Sequence, residues 1–478
     1  VRVHHDAEER GFALIEPACV ARLDGAFRPA VLADRAFQAG VAAEGGGAPL
    51  VIGLERPDGS VSRWETAVYP ESHPGAAANL YYAERLFKFL LWQRGGCTAY
   101  LGGPPSVADH LRACYAPDGV RAFDFHFMGE DVYDRPFTII ACSPEQVPAS
   151  QERGRPLGRH LDGCRIGFDL GASDRKAAAV MDGQVVYSEE VVWEPGIQAD
   201  PDYHYREVMA ALRAAATRMP RVDAIGGSSA GVYVDNRPRV ASLFRGVPRE
   251  RYGEVRELFT RIRSEMGVPL EVVNDGEVTA LAGSMSLEAN GVLGIALGSS
   301  EAGGYVTPEG GITTWLNELA FAPIDYSPTA PVDEWSGDRG CGALYLSQQC
   351  VFRLAEPAGI ELPAGVSKAE ALAYAQERLE AGHEGAADIW QTMGIYLGYA
   401  IAHYADFYAL EHVLVLGRCT SGAGGSLLVE HADEVLRTEF PALAARIRLH
   451  LPDEKSRRVG QSIAAASLPL IRRDVNGF

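Results

Sequence analysis

Long apolar runs are missing from this 478-residue sequence. None approaches the roughly 18 residues that a membrane-spanning helix needs, so a helical membrane protein is not expected. The opening Val1-Arg2-Val3-His4-His5-Asp6 lacks the apolar core of a signal peptide, which leads to the expectation of a cytoplasmic protein. Paired cysteines are missing too. The eight thiols, Cys19, Cys97, Cys114, Cys142, Cys164, Cys341, Cys350 and Cys419, form no CxxC and share no zinc-like spacing with histidine. They are expected to be reduced and buried, with no zinc site. Positive charge is scarce: 44 Lys and Arg face 63 Asp and Glu, a net charge of −19. A nucleic-acid surface draws its affinity largely from Lys and Arg, so no nucleic-acid partner is expected. A bound nucleotide remains compatible, because local positive charge can outweigh a distant acidic surface.

What is present is the composition of a globular chain, 47% hydrophobic and 22% charged, long enough for two or three domains. Residues 1–143 read as an α/β domain of unknown role. Its strands are expected at Leu50–Leu54, up to Thr66, at Cys97–Leu101 and at Phe137–Cys142. An amphipathic helix is expected over Asn79–Arg94 and another over Val107–Tyr115. The alternation Phe123-Asp124-Phe125-His126-Phe127 predicts a strand with one core face, and a structural role for His126. Residues 144–163, rich in Arg, Pro and Gly, read as a linker. Strands, hairpins and helices then alternate, which predicts a mixed sheet covered by helices.

Three glycine-rich turns each follow a short apolar strand: at Gly171, at Gly298–Gly304 and at Gly417–Gly425. Between the first two, the strand Leu270–Val273 ends in Asn274-Asp275. In the hairpin Arg165–Lys176, Asp169 ends a buried strand, Gly171 permits a sharp turn and close approach of an anion, and Ser173, Arg175 and Lys176 add donors and charge. Such a hairpin can hold phosphate oxygens while Asp169 faces a hydrated metal ion. Phosphoryl transfer to an alcohol needs donors for the phosphates, Mg²⁺ and a carboxylate within reach of the hydroxyl. Asp275 can supply that carboxylate, although Asp is also a favoured helix N-cap.

From residue 165 to about 468 this pattern resembles the ROK (repressor, ORF, kinase) sugar kinases of the actin/Hsp70/hexokinase ATPase superfamily. The resemblance implies a two-lobed actin-like, ribonuclease H-like α/β fold, with a small lobe at 164–290 and a large lobe at 291–478. It implies ATP and Mg²⁺ as cofactors, a small sugar or cyclitol as substrate, and a homodimer. It matches Asp169, Gly171, Ser173 and Lys176 to a first phosphate loop, with Asp169 holding Mg²⁺ through water. Gly298, Ser299 and Ser300 match a second, with Ser300 and Ala302 where glycines are usual. Gly417, Gly424 and Gly425 match the nucleotide-side loop. Asp275 falls on the catalytic base, and Asn274, Glu318, Asn317 and Ser242 on sugar contacts, with Arg245 beside Ser242. Glu318 equally admits a structural role.

The pattern also departs from the family. Asn317 and Phe321 flank Glu318 where Gly and a zinc-binding His are usual. The run Glu334–Cys341 keeps one cysteine of the family's zinc cluster, which implies no structural zinc. The acids Asp333, Glu334 and Asp338 either line an altered pocket or form a solvated loop. These losses leave a second reading open, a catalytically weak sugar- or nucleotide-binding regulator or scaffold. A third, an ATPase that activates a partner enzyme, has relatives with an iron–sulfur cluster, for which this chain has no suitably paired cysteines.

Overall fold

The computed structural model describes residues 7–152, 157–452 and 454–471. The opening hexapeptide and residues 153–156 of the expected linker lie outside them. The chain divides into two compact units. One gathers Val1–Arg153, Ile295–Gly303 and Thr314–Leu451; the other gathers Gly154–Gly294, Gly304–Thr313 and Pro452–Phe478. Residues 1–143 were expected as a domain of their own. They instead share a unit with the long segment after Thr314, and the C-terminal helix belongs with the 164–290 region.

In the first unit, β1 (Ala48–Glu55) and β2 (Val61–Val68) form a hairpin whose turn is closed by Asp58, which accepts from the Ser60 amide. β3 (Thr98–Gly102) runs antiparallel to β1, and β4 (Thr138–Cys142) parallel to β3, giving the order β2-β1-β3-β4. The helix Ala78–Arg94 is buried on all sides rather than along one stripe. Its charged residues are paired internally: Lys88 lies 3.0 Å from Asp124 and 3.3 Å from Asp338, and Arg85 bonds Glu84 and Asp338. Arg121 bonds Glu84 and Asp338 as well, so three cations meet three anions. Buried charges are tolerated only when paired in this way.

The 123–127 segment is not a strand. It forms a helix, Ala122–His126, that passes into a π-turn. A helix places Phe123 and Phe127 on one face, where their rings stack 5.5 Å apart beside Trp92, and it turns Asp124 inward to Lys88 and the Trp92 indole. These contacts override the period-two pattern. His126 stays at the surface, bonded to Glu130 and the Pro117 carbonyl.

The second unit is built on β5 (Cys164–Leu170), β6 (Asp174–Met181), β7 (Gln184–Val192), β8 (Ala224–Ser229), a small β9 (Val232–Val234)/β10 (Arg237–Val240) ribbon, and β11 (Leu270–Asn274). The main sheet has the order β11-β8-β5-β6-β7, with β11, β8 and β5 parallel. Ile166, Phe168 and Leu170 alternate onto one face, in a core shared with the helices Pro201–Ala216 and Leu258–Met266. The helix Glu454–Ala466 covers the other face. Gly167 and Gly226 allow its approach, since a Cβ would sit 2.1 Å from the Ser462 carbonyl oxygen at one and 1.7 Å from that of Ala465 at the other.

The last sheet comprises β12 (Val292–Leu297), β13 (Glu301–Val306), β14 (His412–Leu416) and β15 (Arg448–His450), in the order β13-β12-β14-β15. Mixed sheets covered by helices are the α/β architecture expected from the sequence. No described helix is long and apolar enough to cross a membrane.

Candidate functional site

Strand register assembles the acidic part of the site. Across β8, Asp169 pairs with Ser228, while Leu170 and Asn274 both pair with Ser229. Asp169 and Asp275 therefore emerge at the same carboxyl edge of three parallel strands, the edge at which open α/β sheets bind ligands. The Ser228 hydroxyl donates to Asp169 at 2.7 Å. Lys176 lies 2.9 Å from Asp174 and 3.7 Å from Asp169. Arg175, on the opposite face of β6, is buried against Glu189 and Glu207 and takes a structural role.

Asp275 opens the helix Asp275–Leu287, and the N-cap is Asn274, whose Oδ1 accepts from the Gly276 amide at 2.7 Å. The Asp275 Oδ1 accepts from the same amide at 3.0 Å, and the Asn274 amide is further held by the Gly231 carbonyl. Burial, and then the charge of Asp169, push the Asp275 carboxyl up to about 6. Burial also raises Asp169, with Ser228 and Lys176 opposing the shift. Two buried carboxylates at one strand edge, one raised by the charge of the other, suit a hydrated divalent cation, which Mg²⁺ sites hold through one or two acids plus phosphate and water. Among the described residues no group of three or more His, Cys, Asp and Glu is set to hold a metal on its own.

The Gly171–Asp174 turn is closed by the Gly171 amide donating to the Asp174 carbonyl, and Trp193 clamps it from the side through its indole N–H to the Gly171 carbonyl. Ser173 is exposed at the tip. It lines a cavity of about 320 Å³ with Trp193, Glu194, Ser242 and Arg245, so the first turn and the expected small-lobe contact share one pocket.

In the first unit, the other two glycine-rich turns meet. Gly417 (φ 105°) lies so close to Leu297 that a Cβ would fall 2.5 Å from its carbonyl oxygen, directly before Gly298. Ser299 and Ser300 are exposed at the tip of the β12–β13 turn. Gly424 and Gly425 begin the helix Ala423–Glu439. Gly424 packs against the Trp390 indole and Gly425 against the Thr420 carbonyl. Gly304, at the end of the second glycine-rich run but within the second unit, lies against the Gly276 carbonyl beside Asp275.

Two expectations are corrected. Asn317 is 1% exposed, in a left-handed conformation (φ 51°), and accepts from the Tyr408 hydroxyl; it is a structural residue rather than a surface for sugar. Glu318 beside it is half-buried, its amide donating to the Trp92 carbonyl. The acids Asp333, Glu334 and Asp338 are not a uniformly solvated loop. Asp333 accepts from the Trp335 and Ser336 amides, and Asp338 is buried among Arg85, Lys88 and Arg121; only Glu334 is left exposed.

Ser228 and Trp193 went unnoticed in the sequence. Gly227–Gly231 reads as a flexible turn, yet residues 224–229 form an interior strand between β11 and β5, its glycines required by the helix on one face and the Phe168 ring on the other. The Gly-Gly-Ser-Ser run directly after Ala224-Ile225 was the available signal.

No protein-family model matches this sequence, and no curated protein matches it. Solved structures do. A ROK family transcriptional regulator, a homologue of the E. coli MLC protein, is 19% identical with a TM-score of 0.50, over 64% of this chain and 79% of that one. A ROK family glucokinase from Streptomyces griseus, in complex with glucose and AMPPNP, is 18% identical with a TM-score of 0.48, over 63% and 99%. The ROK hexokinase from Thermus thermophilus is 16% identical with a TM-score of 0.48, over 63% and 97%. The likeness is one of fold, and the regulator's score carries it: this is a divergent α/β protein of the ROK fold.

Proposed function

We propose that the protein is an ATP-dependent phosphotransferase acting on a hydroxyl of a small sugar or cyclitol. The supporting observation is the pair Asp169 and Asp275 at one strand edge, with the Asp275 carboxyl raised to about 6, close to the working range of a general base. In this reading Asp275 accepts the proton of the substrate hydroxyl as its oxygen bonds to the terminal phosphorus of ATP and the bond to ADP breaks. Asn274, Ser242 and Glu318 orient the substrate. Ser173 and Lys176, with the amides of the Gly298–Ser300 turn, hold phosphate oxygens, and the Gly417–Gly425 loop takes the nucleoside. Mg²⁺, held by Asp169 through water, would neutralise charge on the phosphates.

A regulator that binds the same ligands without turnover is the second reading. It is favoured by the regulator among the structural neighbours and by the serine in place of glycine at Ser300. A coupled ADP-release screen over sugars and cyclitols, beside calorimetry with ATP and Mg²⁺, separates the two. Asp275→Ala is expected to keep nucleotide binding and lose turnover by about 10²–10⁴-fold. Near-normal transfer in that variant removes Asp275 from the role of base; ligand binding with no turnover by the unmodified protein supports the regulator.

A further inference from the structure

Glu301 directly follows the Gly298–Ser300 turn, as the first residue of β13. Its side chain turns into the first unit and is 3% exposed. Oε1 accepts from the Tyr404 hydroxyl at 2.9 Å. Oε2 is buried with no hydrogen-bond partner. It faces Gly342, where a Cβ would sit 2.1 Å from Oε2 and 2.7 Å from the Leu319 carbonyl oxygen. Gly342 is thus the gap that admits the carboxyl, and Leu319 follows Glu318. The neighbouring Gly303 is pressed in the same way against the Asn317 carbonyl. Glu301 is the side chain by which the turn is rooted in the interior.

Among the described residues no cation is paired with this acid. The titratable group that faces it is Tyr404, a neutral phenol, from the helix Glu384–Tyr404. The turn before it and the Leu319–Phe321 and Gly342–Leu344 segments bring no charged group to it. A bare carboxylate in such surroundings is unaffordable, so the group keeps its proton.

We propose that Glu301 is a positioning residue that anchors the Gly298–Ser300 turn as a neutral acid, and that loss of its proton weakens phosphate binding at that turn. The inference rests on the nucleotide reading above. Burial pushes the Glu301 carboxyl up to about 8, with only the Tyr404 hydroxyl opposing. Below that pH the turn stands on an uncharged base. Above it, a negative charge enters a poorly solvated site beneath groups that must hold negative phosphates, and the repulsion is little screened there.

The test is the affinity for AMPPNP with Mg²⁺, measured by calorimetry from pH 6.5 to 9.5. The unmodified protein is expected to lose about tenfold in affinity across the interval. Glu301→Gln, which keeps the shape and cannot ionise, is expected to bind with nearly constant affinity. Tyr404→Phe, which removes the one donor that favours the ionised form, is expected to move the decline to higher pH. Equal decline in the unmodified protein and Glu301→Gln overturns the proposal while leaving nucleotide binding intact, as does a flat profile in the unmodified protein. Absence of nucleotide binding at every pH overturns the phosphotransferase reading itself, and the proposal with it.

Discussion

At the scale of single residues, the chemistry turns on how strongly burial holds protons on acids. Asp275 is raised by burial first and by Asp169 second. A base of this kind works only when ionised, so kcat/KM is expected to fall as pH drops through about 6 and to level off between about 6 and 8. Asp169→Asn removes the charge but not the burial. The Asp275 carboxyl, followed by ¹³C NMR, is therefore expected to titrate at lower pH in that variant, yet still above its ordinary 3.8. An unmoved titration would mean that the two acids do not sense one another. Residue type alone made Asp169, Asn274 and Asp275 legible. It could not show that Asn274 is the cap while Asp275 shares the same Gly276 amide, because that depends on how the two side chains bend back in the fold.

At the scale of elements, the Glu334–Cys341 run carries one thiol, Cys341, and no structural zinc was expected there. The structure holds the run by charge. Against the burial that opposes it, Arg85 and Lys88 keep the Asp338 carboxyl below its usual range. Three cations, on the Ala78–Arg94 helix and at Arg121, depend on it. Asp338→Asn keeps the shape and strands positive charge in the interior, so a loss of about 3–5 kcal/mol in urea unfolding is expected. A loss under 1 kcal/mol, the range of a surface pair, would show that the charges are solvated instead. The Ala78–Arg94 helix was readable from periodicity, but its wholly buried polar face was not. Lys88 and Glu84 look like solvent-facing residues until distant Asp338 and Arg121 are brought to them.

At the scale of the whole molecule, the proton inventory predicts how stability changes with pH. Burial raises Asp34 and Glu301 to about 8, from ordinary values of 3.8 and 4.5. The folded state holds these protons more tightly than the unfolded chain. Their stabilisation is complete below pH 4, declines as pH rises, and is gone above about 8. His403, lowered to about 3 by burial and then by Arg35, acts in the opposite direction, but only below the ordinary 6.5. Between pH 6.5 and 8 the two acids are uncompensated by it, so urea unfolding is expected to show stability falling across that window. Rising stability there would mean that Asp34 and Glu301 are ionised in the fold. Composition alone reveals the acidic excess, but not which acids are buried.

By itself the sequence determined the α/β class, the three glycine-rich turns, the hairpin with Asp169 and the strand ending at Asn274-Asp275. These depend on local periodicity and on residue types with few substitutes at a turn or strand end. Only the tertiary structure decided that residues 1–143 join the segment after Thr314, that Ser228 lies beside Asp169 in an interior strand, that Asn317 is buried, and that 123–127 is helical. Each of those outcomes depends on partners tens to hundreds of positions away, whose burial and charge outweigh the local pattern.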